Sequence, residues 1–236
     1  MNRFTIRERA SPNHAARDAP PRIDMLVLHY TGMRSAAEAV ERLCDSAARV
    51  SAHYVVEEDG VIWHLVPEEY RAFHAGVSCW EAERDLNSVS IGVEIVNPGH
   101  EWGYRPFEEA QMRAVEWLCR AILSRHPIPP QRVVGHSDIA PARKTDPGEL
   151  FDWPRLARSG IGLWPAPSRL AHHRPIDRNR ALADLVAIGY CDAEEESAIA
   201  AFQRRFRPGR CDGELDAETA QRLGEVRAAY DNSRRR

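Results

Sequence analysis

The chain has 236 residues, of which 43% are hydrophobic, enough to bury the core of one large domain or of a medium domain with a small companion. Its 32 basic and 35 acidic residues leave a net charge of −3, which excludes a global field drawing the chain to nucleic acid. No apolar run approaches the roughly 20 residues of a membrane-spanning helix.

The segment MNRFTIRERASPNHAARDAPPR at the start is polar and charged and lacks the apolar stretch of a secretory signal. The cysteines, Cys44, Cys79, Cys119, Cys191 and Cys211, are odd in number and scattered without CxxC spacing. These features predict reduced thiols and a cytoplasmic location, with a periplasmic or envelope location as the alternative if the true start lies upstream. Next comes IDMLVLH (residues 23–29), an apolar run with branched side chains, read as a buried strand ending at His29. Residues 35–47 place Ala36, Ala39, Val40, Leu43 and Ala47 on one helical face. SAHYVVE (51–57) and VIWHLV (61–66) flank Asp59-Gly60, a strong hairpin signal. VSIGVEIV (89–96) alternates as a further strand. Residues 107–126 form the longest predicted helix, striped by Met112, Val115, Trp117, Leu118 and Ile122 and followed by Pro127. Residues 132–134 are a last strand, feeding the polar loop GHSDIAPARKTDPG (135–148). Strands interleaved with helices, plus a hairpin, predict an α/β fold with a central mixed β-sheet flanked by helices.

Around Gly160 the composition changes to GIGLWPAPSRLAHHRP, rich in the Gly and Pro of linkers. Helical patterns follow over residues 177–188, 192–206 and 216–230, and the tail 231–236 is expected to fray. The expected organisation is a first domain over residues 1–165 and a small three-helix domain over 171–232, with few core contacts between them.

The polar loop makes sense if its residues bind something. His136 ends one strand, Asp146 lies ten residues on, and His29 ends another strand. Two histidines and a carboxylate are a common catalytic zinc set, with water in the fourth position. Spacing alone does not separate ligands from surface or structural histidines. Glu94 sits within an apolar strand, either at an edge with its carboxylate in water or beside a metal as general base. Lys144 lies two residues before Asp146 and reads as a solvated loop lysine or as a neighbour of the metal.

The segments LVLHYTG, RVSAHYVVEEDGVIWHLVPE, AFHAGVSCW, LNSVSIGVEIVNPGH and VVGHSDIAPARKTDPG, in this order, resemble the type 2 N-acetylmuramoyl-L-alanine amidases. The likeness spans roughly residues 11–165 and is nearest the AmiD branch, because a small helical domain follows. That domain resembles a peptidoglycan-binding three-helix module through LVAIGY, IAAFQRRF and CDGELDAETAQRL. The resemblance implies one Zn2+ per chain held by His29, His136 and Asp146, with Glu94 and Lys144 catalytic. It aligns Arg49, Ala72 and Arg143 with substrate-contacting positions, makes His74 a groove-lining residue and His53 a structural one. The implied substrates are peptidoglycan fragments or muropeptides, with the chain expected to be monomeric.

Two departures from the family stand out. Relatives often carry a basic residue two positions before the Asn of their LN or CN pair; here it is Asp85, beside Arg84. The AmiD branch is typically an envelope lipoprotein, whereas a cytoplasmic chain would meet recycled anhydro-muropeptides, as the AmpD branch does. A recognition protein that binds peptidoglycan without cleaving it, and a zinc peptidase acting within the stem peptide, are the rival readings. Filled ligand and catalytic positions favour the amidase.

Overall fold

The computed structural model describes residues 4–165 and 176–234. Its strands are β1 (Ile6–Glu8), β2 (His14–Ala16), β3 (Met25–Tyr30), β4 (Tyr54–Val56), β5 (Ile62–His64), β6 (Tyr70–Ala72), β7 (Ser90–Ile95) and β8 (Val133–Gly135). The large sheet has the order β1-β5-β4-β7-β3-β8, and β2 and β6 form a separate antiparallel ribbon. Among the described residues, β4 and β5 pair antiparallel through the Asp59-Gly60 turn, and the other pairings of the large sheet are parallel. The expected mixed sheet is therefore present. Its helices are α1 (Ala36–Cys44), α2 (Leu86–Val89), α3 (Gly99–Trp102), α4 (Glu109–Arg125), α5 (His136–Ile139), α6 (Trp153–Arg158), α7 (Arg178–Ile188), α8 (Glu195–Phe206) and α9 (Ala217–Arg234).

Alternation along β3 and β7 decides what each face carries. Leu26 and Leu28 pack with Ile91, Val93 and Ile95 against Met112, Val115, Leu118 and Ile122 of α4. Met25 and Val27 point the other way, into a second core made with α7, α8 and α9. By the same alternation His29, Ser90, Gly92 and Glu94 lie on this second face, and the parallel register sets His29 opposite Glu94.

The C-terminal helices are thus part of the main core. Leu185, Ile188, Tyr190, Phe202, Leu223 and Val226 share one buried cluster with Met25, Val27, Trp80 and Val134 of the sheet side. A buried polar knot reinforces the contact. Asp138 of α5 accepts from Arg205 at 2.7 Å, from the Tyr190 hydroxyl at 2.7 Å and from the Gly135 amide at 2.8 Å. Arg205 also donates to the Val133 carbonyl at 3.0 Å, and its guanidinium stacks 4.1 Å from the Trp153 ring centre. Cys79, just before Trp80, is disulfide-bonded to Cys191 in the turn after α7.

Several expectations are corrected here. The cysteines are not all reduced, since Cys79 and Cys191 pair across 112 residues of sequence, a separation that spacing cannot reveal. The expected scarcity of contacts across the linker is reversed: composition reports backbone propensity, while the apolar faces of the helices find the open side of the sheet. Residues 166–175 of the linker lie outside the described residues, but Ile161 before them is fully buried. The tail is helical to Arg234 because Ser233 hydrogen-bonds Gln131 and Arg234 pairs with Glu81. The polar start supplies β1 and β2, and Arg17, which follows β2, reaches the carbonyls of Glu68, Ser88 and Ser90.

In the helical unit, the FQ dipeptide has a structural use. Gln203 is fully buried and donates to Asp212, to the Glu214 carbonyl and to Thr219, while accepting from the Gly213 amide. It fastens the CDGELD loop to α8.

Arg205→Ala would strand the Asp138 carboxylate in the interior. Breaking a buried pair in this way costs about 3–5 kcal/mol, to be read from urea unfolding; a loss below about 1 kcal/mol would contradict the packing described. Removing residues 171–236 strips the cover from Met25, Val27 and Trp80, so the remainder is expected to precipitate. A soluble, cooperatively folding fragment would show that the two parts are independent.

Candidate metal centre and active site

β3, the loop after β8 and the segment after β6 meet at one edge of the sheet. Each supplies part of a cavity of about 690 Å³ lined by, among others, Tyr30, His74, Glu94, His136, Lys144 and Asp146. The polar loop 135–148 is held tightly. Ser137 donates its amide to the Asp146 carbonyl at 2.8 Å, closing the loop on itself. Arg143 and Lys144 donate theirs to the Ala140 carbonyl at 3.0 and 2.9 Å. Tyr104 donates to the Pro147 carbonyl at 2.8 Å, and Tyr30 and Thr145 share a hydroxyl contact of 2.9 Å.

At the floor of the cavity three donor atoms converge. His29 Nδ1 is 2.9 Å from His136 Nδ1 and 3.1 Å from Asp146 Oδ2, and His136 Nδ1 is 3.0 Å from the same oxygen. All three residues are buried. Among the described residues no other group of three His, Cys, Asp or Glu donors converges in this way. Each imidazole has a partner on its far nitrogen: His29 Nε2 meets His74 Nδ1 at 3.0 Å, and His136 Nε2 meets the Ala75 carbonyl at 3.1 Å. A carbonyl only accepts, so His136 carries a hydrogen on Nε2, and Nδ1 is the nitrogen it turns inward. Burial, reinforced by His136, pushes the His29 pKa down to about 4, so the His29 ring is neutral at pH 7. Burial alone would raise the Asp146 carboxyl, but the adjacent histidines hold it well below the usual carboxylate range. Two ring nitrogens and an ionised carboxylate oxygen converging in a desolvated pocket form a donor set that a cation would satisfy. Their separations approach the edge of about 3.3 Å expected for a tetrahedral site with bonds near 2.0–2.1 Å. The group fits a divalent metal ion.

Glu94 lies on the same face. Its Oε2 is sealed from solvent with no hydrogen-bond partner. Burial first, and the Asp146 charge second, push its pKa well above the ordinary value, while Lys144 opposes the shift. Glu94 lines the polar cavity, and a carboxyl of raised proton affinity there is suited to exchanging a proton with a bound molecule.

The remaining expected residues are placed as follows. Arg143 lines the cavity, and its Nη2 atom holds the next loop by donating to the carbonyls of Ala75 and Val77 at 3.0 and 2.7 Å. His74 touches the cavity but is only 8% exposed, its ring nitrogens engaged by His29 and Ser90. Arg49 is exposed and outside the cavity lining. Ala72 is corrected: it sits fully buried in β6, paired with His14, and has no surface to offer a ligand. Burial suits a small residue beneath the ribbon better than contact with substrate. His53 is structural as expected, accepting from the Gly92 amide at 2.9 Å and meeting the Tyr70 carbonyl at 3.1 Å. Asp85 is taken up by Arg71 and Ser88.

Sequence reasoning missed Tyr30, Glu101 and Trp102 in the cavity wall. Trp102 is 46% exposed with Arg34 stacked 4.1 Å above it. A tryptophan in the polar stretch NPGHEWGY was the available signal.

The sequence profile of the N-acetylmuramoyl-L-alanine amidase family matches residues 19–149. N-acetylmuramoyl-L-alanine amidase AmiD of Escherichia coli is 41% identical over 229 residues, covering 86% of this chain and 82% of that protein. The 1,6-anhydro-N-acetylmuramyl-L-alanine amidase AmpD of Haemophilus influenzae is 33% identical over 65% of this chain and 91% of its own length. Among solved structures, E. coli AmiD in complex with anhydro-N-acetylmuramic acid-L-Ala-D-γ-Glu-L-Lys superposes with a TM-score of 0.79 at 39% identity, covering 90% of this chain and 91% of that one. AMPDH3 of Pseudomonas aeruginosa in complex with anhydromuramic pentapeptide gives 0.80 at 35% identity, covering 92% and 96%.

Two outcomes are expected. Asp146→Ala should lose its bound metal, measured by elemental analysis, because two imidazole rings without the carboxylate hold a divalent ion poorly; full occupancy would remove Asp146 from the ligand set. In metal-free protein, burial also pushes the His53 pKa down to about 3. The unfolded chain therefore takes up protons below about pH 6.5 that the folded one refuses, and stability falls with pH down to about 3. Urea midpoints that stay flat across that window would contradict this.

Proposed function

Because the chain belongs to the N-acetylmuramoyl-L-alanine amidase family, we propose that His29, His136 and Asp146 hold one zinc ion at which Glu94 and Lys144 carry out the hydrolysis. The bond cleaved is the amide between N-acetylmuramic acid and the L-alanine of the stem peptide, in peptidoglycan turnover. The single observation that carries the assignment is the convergence of three buried donor atoms, with the unpartnered Glu94 oxygen on the same sheet face.

Amides resist hydrolysis because resonance strengthens the C–N bond and the amine leaves poorly. Zinc, when bound, polarises the carbonyl and makes water acidic enough to attack at neutral pH. Glu94 takes the proton from the attacking water, its affinity for that proton raised by burial. It then delivers the proton to the departing L-alanine nitrogen, so that the leaving group is a neutral amine. Lys144, in the same cavity wall, donates to the oxyanion that develops as the carbonyl becomes tetrahedral; loss of such a donor typically lowers the rate about 10²–10³-fold. Asp146 stays ionised throughout because its histidine neighbours stabilise the charge.

Muropeptides with a 1,6-anhydro end are the proposed ligands, supported by the relatives captured with anhydromuramic peptides. For compartment, the Cys79–Cys191 bond removes the expectation of reduced thiols that pointed to the cytoplasm. A disulfide persists best in an oxidising environment, which favours the envelope alternative. Thiol alkylation of protein taken directly from cells should then count Cys44, Cys119 and Cys211 as the free thiols. Five reactive thiols would return the chain to the cytoplasm.

Glu94→Gln keeps the side-chain shape but cannot accept a proton. It should retain zinc and bind muropeptide while kcat falls about 10²–10⁴-fold; near-native kcat would assign the proton transfer elsewhere. Mass spectrometry of the native reaction should show the intact stem peptide released from the sugar. Cleavage within the peptide would instead identify a peptidase.

A further inference from the structure

The two histidine donors are oriented from behind by one dipeptide, His74-Ala75. Ala75 presents its carbonyl to His136 Nε2 at 3.1 Å, and His74 presents Nδ1 to His29 Nε2 at 3.0 Å. The dipeptide is itself clamped: Asn87 Oδ1 accepts from the amides of both His74 and Ala75, at 3.1 and 2.9 Å.

Following the hydrogens outward from β7 fixes each tautomer in turn. The Ser90 hydroxyl has one hydrogen and gives it to the Leu86 carbonyl, four residues back. Ser90 Oγ therefore meets His74 Nε2, 3.1 Å away, as an acceptor, and His74 carries its hydrogen on Nε2. In the neutral ring His74 Nδ1 is then a lone pair, and His29 Nε2 must donate to it. That leaves His29 Nδ1 bare and aimed at His136 and Asp146. The wire has no branch: Leu86 carbonyl, Ser90, His74 and His29 each have one arrangement that satisfies all the contacts.

The seat for the His74 ring is also built. A Cβ on residue 92 would lie 2.4 Å from His74 Cγ, so only glycine lets the ring lie against β7 at this height. Residues Ser90, Gly92 and Glu94 thus divide one strand face into an acceptor for His74, a bed for its ring, and a base.

We propose that His74 is a positioning residue that sets the tautomer of His29 through the Leu86–Ser90–His74 chain, so that His29 Nδ1 is the atom free to bind the metal. The proposal rests on the zinc reading above and adds to it the group that makes His29 competent. Partners that orient a metal-bound histidine commonly change metal affinity about 10–100-fold when removed.

The test uses the full chain and zinc alone. His74→Phe keeps a ring on Gly92 but removes both nitrogens, and should raise the zinc Kd about 10–100-fold in chelator competition. His74→Asn returns an acceptor close to the position of Nδ1 and should recover most of that loss, which a purely space-filling role would not predict. Independently of any variant, long-range ¹H–¹⁵N spectra of the native zinc-loaded protein should show His74 and His29 both protonated on Nε2. His74 protonated on Nδ1, or a His74→Phe variant with native zinc affinity, would overturn the proposal while leaving the zinc site standing. Native protein that takes up no zinc would overturn the zinc reading and this role with it.

Discussion

Everything at this site depends on one electrostatic constraint: two imidazole nitrogens and a carboxylate oxygen held about 3 Å apart away from water. Such a group is unfavourable by itself, and the rest of the structure supplies what keeps it from relaxing. The strand register brings His29 to the sheet edge opposite Glu94. The loop after β8 folds back on itself through the Ser137 amide and Asp146 carbonyl, which sets the second histidine and the carboxylate together. The far nitrogens of both rings are occupied, so neither ring can turn its hydrogen inward without losing a buried hydrogen bond. The binding energy for a cation is stored in this arrangement before the cation arrives.

The helical unit contributes to the same end. Its Arg205 and Tyr190 grip Asp138, two residues from His136, from the side of the sheet opposite α4. The disulfide and the Trp80–Tyr190 contact tie the loop following His74-Ala75 to the turn after α7. Both loops that form the centre are thus backed by the C-terminal helices. The FQ and DG…DxxT pattern that resembles a peptidoglycan-binding module has an internal use, Gln203 fastening the CDGELD loop, so that pattern accounts for part of the fold of the unit.

How much of this was legible in the sequence follows from how local each signal is. The apolar run ending at His29, the alternation placing Glu94, the Asp-Gly hairpin and the long amphipathic α4 are written in consecutive residues, and the structure has them all. The polar loop declared itself by its density of charge. Strands β1, β2 and β6 are three residues each and exist only because distant segments offer them edges, so periodicity could not find them. The Cys79–Cys191 bond and the grip of Arg205 on Asp138 join residues far apart in the chain, and no spacing rule reaches them. Ala72 was drawn into the site by alignment, but its side chain lies under the ribbon. Gly92 did leave a trace: a glycine in the middle of SIGVE is a weak strand former, tolerated because a ring must lie against it.

The most direct test of this account is a crystal of the zinc-loaded protein measured at the zinc absorption edge. The account predicts one anomalous peak per chain, bonded at about 2.0–2.2 Å to His29 Nδ1, His136 Nδ1 and an Asp146 carboxylate oxygen. A metal bound through the Nε2 atom of either histidine, or a peak elsewhere with this triad left empty, would contradict it.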